Sequence, residues 1–412
     1  MKQDSGSQDK WHLQLSRRTW LGAAATTALA LLKPSAAQVV TPAPLVQNPT
    51  KVPGVPPGLL GTRSAFEHPV KKPSDTSSRT PLQDLHGMIT PSDLHFERHH
   101  GGVPQIDPHA YRLLIHGMVN KPMVFTLQDL KRFPALSRIC FIECSGNFRQ
   151  GKETMTPQEI CGLTSQSEWT GVLLSTLLRE TGVHPKASWL LAEGGDAAVM
   201  TRSIPLKKAL DDAMIVYAQN GEAIRPEQGY PARLLLPGWE GNTNVKWIRR
   251  IEVSDQPFMT REETSKYTEP VRDGKIRQFS FDMDARSIIT SPAYPMQVEK
   301  GWIEIRGLAW SGRGKITRVE ISTDAGRSWW PAQLQEPVLD KAHTVFRYLW
   351  QWKGDETEIL SRATDETGYV QPSLQALVEA RGKDMGGYHL NPITAWRIRR
   401  DGTVLFRPEK WK

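Results

Sequence analysis

The stretch "FIECSGNFRQG", Phe141 to Gly151, concentrates the residue types that do chemistry. An apolar run ends at Cys144, a polar turn containing glycine follows, and Arg149 stands five residues on. The chain has three cysteines, Cys140, Cys144 and Cys161. A thiolate near a cation has a lowered pKa and can act as a nucleophile or as a ligand to a metal that tolerates soft donors. A nucleophile would need a base and an orienting partner, and His100 and Asn147 are available for those roles. The plainer alternative is a small buried residue at a strand end. A second concentration is "HFERHHGGVP", His95 to Pro104, and six of the eleven histidines fall between His86 and His116. No HExxH or paired CxxC spacing accompanies them, so a zinc site is not indicated. Arg98 beside His99 and His100 suits an oxyanion, because guanidinium and imidazolium both donate hydrogen bonds to one. The alternative here is a polar surface loop.

These residues need a scaffold, and the chain is long enough for two or three domains. It has 412 residues, 39% of them hydrophobic and 23% charged, which fits a globular protein. The formal net charge is +8, with no long Lys/Arg run, so nucleic-acid binding is not supported. "SRRTWLG", Ser16 to Gly22, puts paired arginines before the short apolar run Leu21 to Leu32. Small residues at Ser35 and Ala37 follow, so residues 1–37 read as a twin-arginine signal peptide and the mature protein as periplasmic. Residues 38–80, rich in Pro, Ser, Thr and Lys, read as an extended linker or arm. Residues 81–280 mix strands and helices. "TLQDLKRF" opens with a capping box, and "TGVLLSTLLRETG" carries leucines at helical spacing and stops at glycine. Residues 281–412 change to short strands between turn signals. In "VFRYLWQW", Phe346, Tyr348, Trp350 and Trp352 fall at period two on one face. No comparably strong helical pattern interrupts them. The fold class is therefore α+β followed by an immunoglobulin-like β-sandwich.

"ECSGNFR" resembles the cysteine motif of the sulfite oxidase family, and "FERHHGGVP" is similar to that family's Arg-Asn-His-x-x-Val-Pro segment. "SEWTGVLLSTLL", "VYAQNGEAI", "GYPARLLLPGWEGNTNVKW" and "WSGRGKITRVEISTDAGRSW" resemble later family blocks in the same order, from about Leu85 to the C-terminus. The resemblance implies a molybdopterin-binding domain over 81–280 and a dimerisation sandwich over 281–412. It implies molybdenum held by a pyranopterin dithiolene, with Cys144 as the protein's thiolate ligand. By the same resemblance Arg98, His100, Arg149 and Tyr217 join Cys144 as catalytic residues, Arg149 lining the anion site. Phe96, Arg98, His99, His100, Asp196, Gln228, Arg233, Asn244, Val245 and Lys246 are the implied cofactor contacts. Gln228 stands where the family often has His, and Thr243 where it often has Arg. Arg313 or Lys315 of the sandwich is a candidate for the substrate channel. Cys140 and Cys161 remain buried small residues.

"LHGMITPSDLHFERHHGGVP", "RPEQGYPARLLLPGWEG" and "REETSKYT" point within the family to the branch acting on carrier-bound sulfur. The expected activity is oxidation of the sulfane sulfur of a carrier-protein-bound intermediate, with water as oxygen source. The runner-up is a sulfite dehydrogenase acting on free sulfite. A reading from another class is a non-catalytic periplasmic anion-binding or scaffold protein. A methionine-sulfoxide-reducing relative would lack the sandwich. The chain has no CxxCH, so no haem is expected in it, and the expected electron acceptor is a c-type cytochrome subunit. The expected assembly is a homodimer within a hetero-oligomer, with no membrane anchor and no nucleic acid.

Overall fold

The computed structural model describes residues 53–409. The signal-peptide expectation, with the first part of the linker, lies outside the described residues. The chain divides into two compact units, 1–66 and 67–412. In the first, residues 53–66 are exposed and form no helix or strand. Everything below concerns the second.

Part of the expected linker is folded. Strands Lys72–Pro73 and Ser77–Arg79 pair antiparallel, and Ser77–Arg79 pairs onward with Glu97–Arg98. Ser78, Arg79 and Thr80 are buried. Gln158 Nε2 donates to the Arg79 carbonyl at 2.7 Å, and Thr80 N–H to the Gly162 carbonyl at 2.8 Å. A polar, proline-containing segment is held here by long-range backbone bonds, which local composition does not encode.

Two five-stranded sheets follow. One runs Glu222–Ala223, Met214–Gln219, Thr164–Leu173, Leu136–Glu143, with Arg233–Leu235 also pairing to Met214–Gln219. The other runs Met123–Phe125, Leu113–Gly117, Ile248–Ser254, Trp189–Gly194, Thr201–Pro205. Its one parallel pair is Leu113–Gly117 against Ile248–Ser254. Helix Leu127–Arg132 has its capping box, Thr126 and Asp129 satisfying each other's backbone N–H. Helix Leu174–Thr181 buries Leu174, Leu177 and Leu178 and ends at Gly182, whose φ of 68° is the left-handed conformation glycine adopts without strain. The residues before it, Thr170–Leu173, belong instead to a strand, because Leu173 and Val172 pair with Met214 and Ile215.

From Arg286 onward two antiparallel sheets face each other. One contains Arg286–Ser291, Gly301–Trp310, Thr344–Trp352 and Gln333–Leu334; the other Trp330–Pro331, Ile316–Ser322, Thr357–Asp365, Ala395–Ile398 and Val404–Arg407. Phe346 and Trp352 are buried in their shared core, with Tyr348 and Trp350 packed at its edge. A helix does interrupt, Leu374–Arg381, capped by Ser373 and burying only Leu374 and Leu377. Its apolar face is two residues wide, too little to show as periodicity. The sandwich core is continuous with the first half of the chain, since Leu82, Phe141, Ile160 and Cys161 pack in the same cluster as Ile305, Trp310 and Trp396.

Candidate active site

Strand Leu136–Glu143 is exposed at its start and buried at its end, so it drives Glu143 into the protein and leaves Cys144 in the turn beyond. Glu143 is fully buried and held by three side chains. Arg286 Nη1 donates to Oε1 at 2.8 Å, Asn147 Nδ2 to Oε1 at 2.9 Å, and Trp310 Nε1 to Oε2 at 2.7 Å. A buried carboxylate is tolerated only with such partners. Asn147 Oδ1 also accepts from Leu163 N–H at 2.7 Å. Both ends of that amide are therefore used structurally, and Asn147 is not free to orient a histidine for a cysteine nucleophile. Gly241 lets the neighbouring loop close on the turn: a Cβ there would lie 2.8 Å from the Glu143 carbonyl oxygen.

Cys144 opens into a pocket of about 670 Å³. Phe96, Arg98, His99, His100, Asp196, Gln228, Arg233, Asn244, Val245 and Lys246 all line it with Cys144. Lys246 is the polar hub. Its Nζ donates to the Arg98 and Glu227 carbonyls at 3.2 and 3.1 Å and meets His99 Nδ1 at 2.8 Å. Burial, with Arg233 nearby, pushes its pKa well below the ordinary lysine value. Glu97 is brought down to about 2 by hydrogen bonds from His99 and Lys71. Arg233 donates to the Gln228 and Asn244 carbonyls, both at 2.9 Å, and Gln228 Nε2 to the Phe96 carbonyl at 2.8 Å. Burial lowers Arg233 to about 9.

Two expected residues are placed elsewhere. Tyr217 sits against the second core with Lys131 5.9 Å from its ring centroid, outside the pocket wall. The tyrosine that lines the pocket is Tyr267, delivered by the π-helical turn Glu262–Lys266. Its hydroxyl meets His100 Nε2 at 2.9 Å, and Arg202 lies 5.0 Å from its ring centroid. Burial pushes the Tyr267 phenol up. His100 keeps a solvent-exposed edge, yet desolvation and then the Arg98 guanidinium lower it to about 4, so its imidazole is neutral at pH 7. Arg149 lines a separate cleft, because its N–H bonds the Ile160 carbonyl at 3.0 Å and turns the loop away. Arg313 is paired with Asp284 at 2.8 Å and does not line the pocket, nor does Thr243, whose hydroxyl donates to the Glu240 carbonyl at 2.7 Å. His95, Ile142, Met200, Gly241, Asn242 and Trp247 complete the wall and were not expected. His95 was legible from the histidine run; the others carry no local signal.

Burial raises the Cys144 thiol pKa, so a bound cation is what would hold it as thiolate. Cys140 and Cys161 are buried and raised to about 12 and about 11 by the same cause. Among the described residues no group of three or more His, Cys, Asp or Glu converges to hold a metal. A metal at Cys144 would have to bring other donors with it. The wall also carries Arg233 Nε, His95 Nε2 and Asn242 Oδ1, buried polar atoms with no protein partner. A partly apolar pocket with three cationic residues, unsatisfied polar atoms and a single thiol fits an anionic, hydrogen-bonding cofactor that carries its own metal donors.

Residues 100–262 match the oxidoreductase molybdopterin binding domain, and residues 277–395 the Mo-co oxidoreductase dimerisation domain. The crystal structure of the sulfane dehydrogenase SoxCD from Paracoccus pantotrophus superposes with a TM-score of 0.85 at 42% identity, covering 89% of this chain and 98% of that one. Mitochondrial sulfite oxidase of Drosophila melanogaster is 32% identical over 338 residues, covering 73% of this chain and 58% of the relative. A nitrate reductase [NADH] of Ulva prolifera is 30% identical over 350 residues, 72% of this chain and 40% of that protein. The chain thus spans about half the length of these two curated relatives. Its two matched domains and their order, with these relatives, place the chain in the sulfite oxidase family of molybdopterin oxidoreductases.

Proposed function

We propose that this protein oxidises the sulfane sulfur of a sulfur intermediate bound to a carrier protein, adding oxygen from water and releasing protons and electrons. The observation that carries the reading is the 42% identity to a sulfane dehydrogenase across nearly the whole of that chain. Lys246, Arg233, Asn244 and Asp196 would hold the pterin, and Cys144 would bind its molybdenum. The bound group supplies two-electron oxidation and oxygen-atom transfer. Arg98 adds positive charge where an anionic sulfur group would approach. The Tyr267 hydroxyl, hydrogen-bonded to neutral His100, keeps its proton and stands at the pocket wall as a hydrogen-bond donor.

The chain has no CxxCH, and a c-type cytochrome subunit is the proposed electron acceptor. Export by the twin-arginine route to the periplasm and dimerisation through the sandwich belong to the same reading. Among the described residues no helix is long and apolar enough to cross a membrane. Free sulfite is the second reading, favoured by the sulfite oxidase relatives. The test is turnover of sulfite against carrier-bound sulfane sulfur by the purified native complex. Preference for sulfite would reverse the order, and correctly matured protein without molybdenum would sink both. Tyr267→Phe should lower kcat about 10²-fold or more while molybdenum content holds; Tyr217→Phe should not.

A further inference from the structure

The cleft that takes Arg149 is lined by Lys72, Arg79, Arg149, Lys152 and Glu159 and has a volume of about 590 Å³. Arg79 lies at its base. It is 5% exposed, and neither Nη1 nor Nη2 has a hydrogen-bond partner. Its backbone pairs with Lys72, and its carbonyl accepts from Gln158 Nε2 at 2.7 Å. Arg149 approaches from the exposed side and forms no ion pair with any described residue. Burial, then Arg149, lowers Arg79 to about 10. The single carboxylate, Glu159, is already paired with Lys72 and capped onto the Thr156 N–H at 2.9 Å. Four cationic side chains therefore face one carboxylate that is spoken for.

A buried guanidinium with both terminal nitrogens unsatisfied is strongly disfavoured unless an anion completes it. Two guanidinium groups converging on one space fit the oxygens of a tetrahedral oxyanion, each offering paired N–H donors. We propose that Arg79 and Arg149 form an oxyanion seat, with Arg79 as its buried pole and Lys72 and Lys152 at its rim. It takes a sulfate-like group, free or carried on a larger molecule. Arg79 lies before the 100–262 region that matches the molybdopterin-binding domain, so the pole comes from the N-terminal arm. The seat is distinct from the 670 Å³ pocket, although Arg79 is within electrostatic reach of Cys144. It rests on the sulfur-oxidising reading only for the chemical class of the anion.

The test is calorimetric titration of the molybdenum-loaded full chain with inorganic sulfate, against chloride at equal ionic strength, alongside thermal unfolding. Sulfate should bind and raise Tm. Arg79→Met and Arg149→Gln should each weaken it about tenfold or more. Without sulfate, Arg79→Met should be at least as stable as the wild type, because it removes an unpaired buried charge. A merely structural arginine would instead destabilise at any sulfate concentration. Sulfate binding no tighter than chloride, or undiminished in Arg79→Met, overturns the seat. A sulfonate-bearing peptide that competes with sulfate places the group on a carrier; sulfate alone binding makes it a seat for the free ion. Turnover is followed on the same preparation: turnover without sulfate binding overturns the seat alone, and sulfate binding without turnover supports the seat and overturns the sulfur-oxidising reading.

Discussion

Strand Gly301–Trp310 pairs with Thr344–Trp352 at nine consecutive positions, Gly301 to Ala309, with no shift of register. Strand Leu136–Glu143 also pairs without a shift, yet its importance lies one residue past its end, where the ladder stops and Cys144 begins. The sandwich is held by its ladders and a continuous core. The pocket is held by side chains that reach across gaps: Lys246 to two carbonyls and His99, Arg233 to Gln228 and Asn244, Tyr267 to His100. A ladder tolerates changes to individual residues, because its bonds are main chain. A cross-gap network does not, since each member leaves a buried partner unsatisfied when it goes. The two regions meet at Glu143, whose carboxylate is held by Arg286 and Trp310 of the sandwich. The sandwich is thus part of what positions the cysteine turn.

The contrast breaks most sharply at the cysteine itself. Cys144→Ser should abolish turnover, because a hydroxyl is a harder and far less acidic ligand. X-ray absorption at the molybdenum edge should show one sulfur ligand fewer, while Cys140→Ser and Cys161→Ser keep the full count and most activity. An unchanged count in Cys144→Ser would mean that another residue is the ligand. Next comes the seam. Arg286→Met leaves the Glu143 carboxylate buried with Asn147 and Trp310 but without its cation, so urea unfolding should show a loss of about 3–5 kcal/mol. A loss below about 1 kcal/mol would mean that the halves are held by the shared core alone.

The smallest effect sharpens the seam through pH. His343, just before the sandwich strand Thr344–Trp352, stacks on Phe141 at 5.7 Å, meets Thr164 Oγ1 at 3.0 Å and is lowered to about 3 by burial. Its folded pKa lies below the unfolded value of about 6.5, so between those values the unfolded chain holds more protons. This stability is full above about pH 6.5 and is lost as pH falls toward 3. His343→Gln should flatten the pH dependence of unfolding in that window by up to about 1.4 kcal/mol per pH unit. An unaltered slope would assign it to His95, which is buried and lowered to about 3 in the same way.

The sandwich strands were legible because period-two aromatics such as Phe346 and Trp352 do bury one face. The cysteine turn and the Arg98–His100 run were legible because their members are adjacent in the chain. Tyr267 was not: "REETSKYT" has no apolar period, and the residue reaches the pocket through a π-helical turn. Tyr217 was implied by the family resemblance alone, and in the structure it packs against the second core. Arg149 kept its offset from Cys144 and lost its expected direction to one nonlocal bond, with Ile160. Arg79 lay in a stretch whose composition signalled only a linker.

The cysteine turn is also gripped from the far end of the chain. His389 N–H bonds the Ser145 carbonyl at 2.8 Å, and Arg286, which holds Glu143, also donates to the Leu390 carbonyl. A nascent chain that has not yet emerged past Leu390 cannot close this clasp. The turn therefore takes its final shape only after residues as far along the chain as His389 and Leu390 have been made.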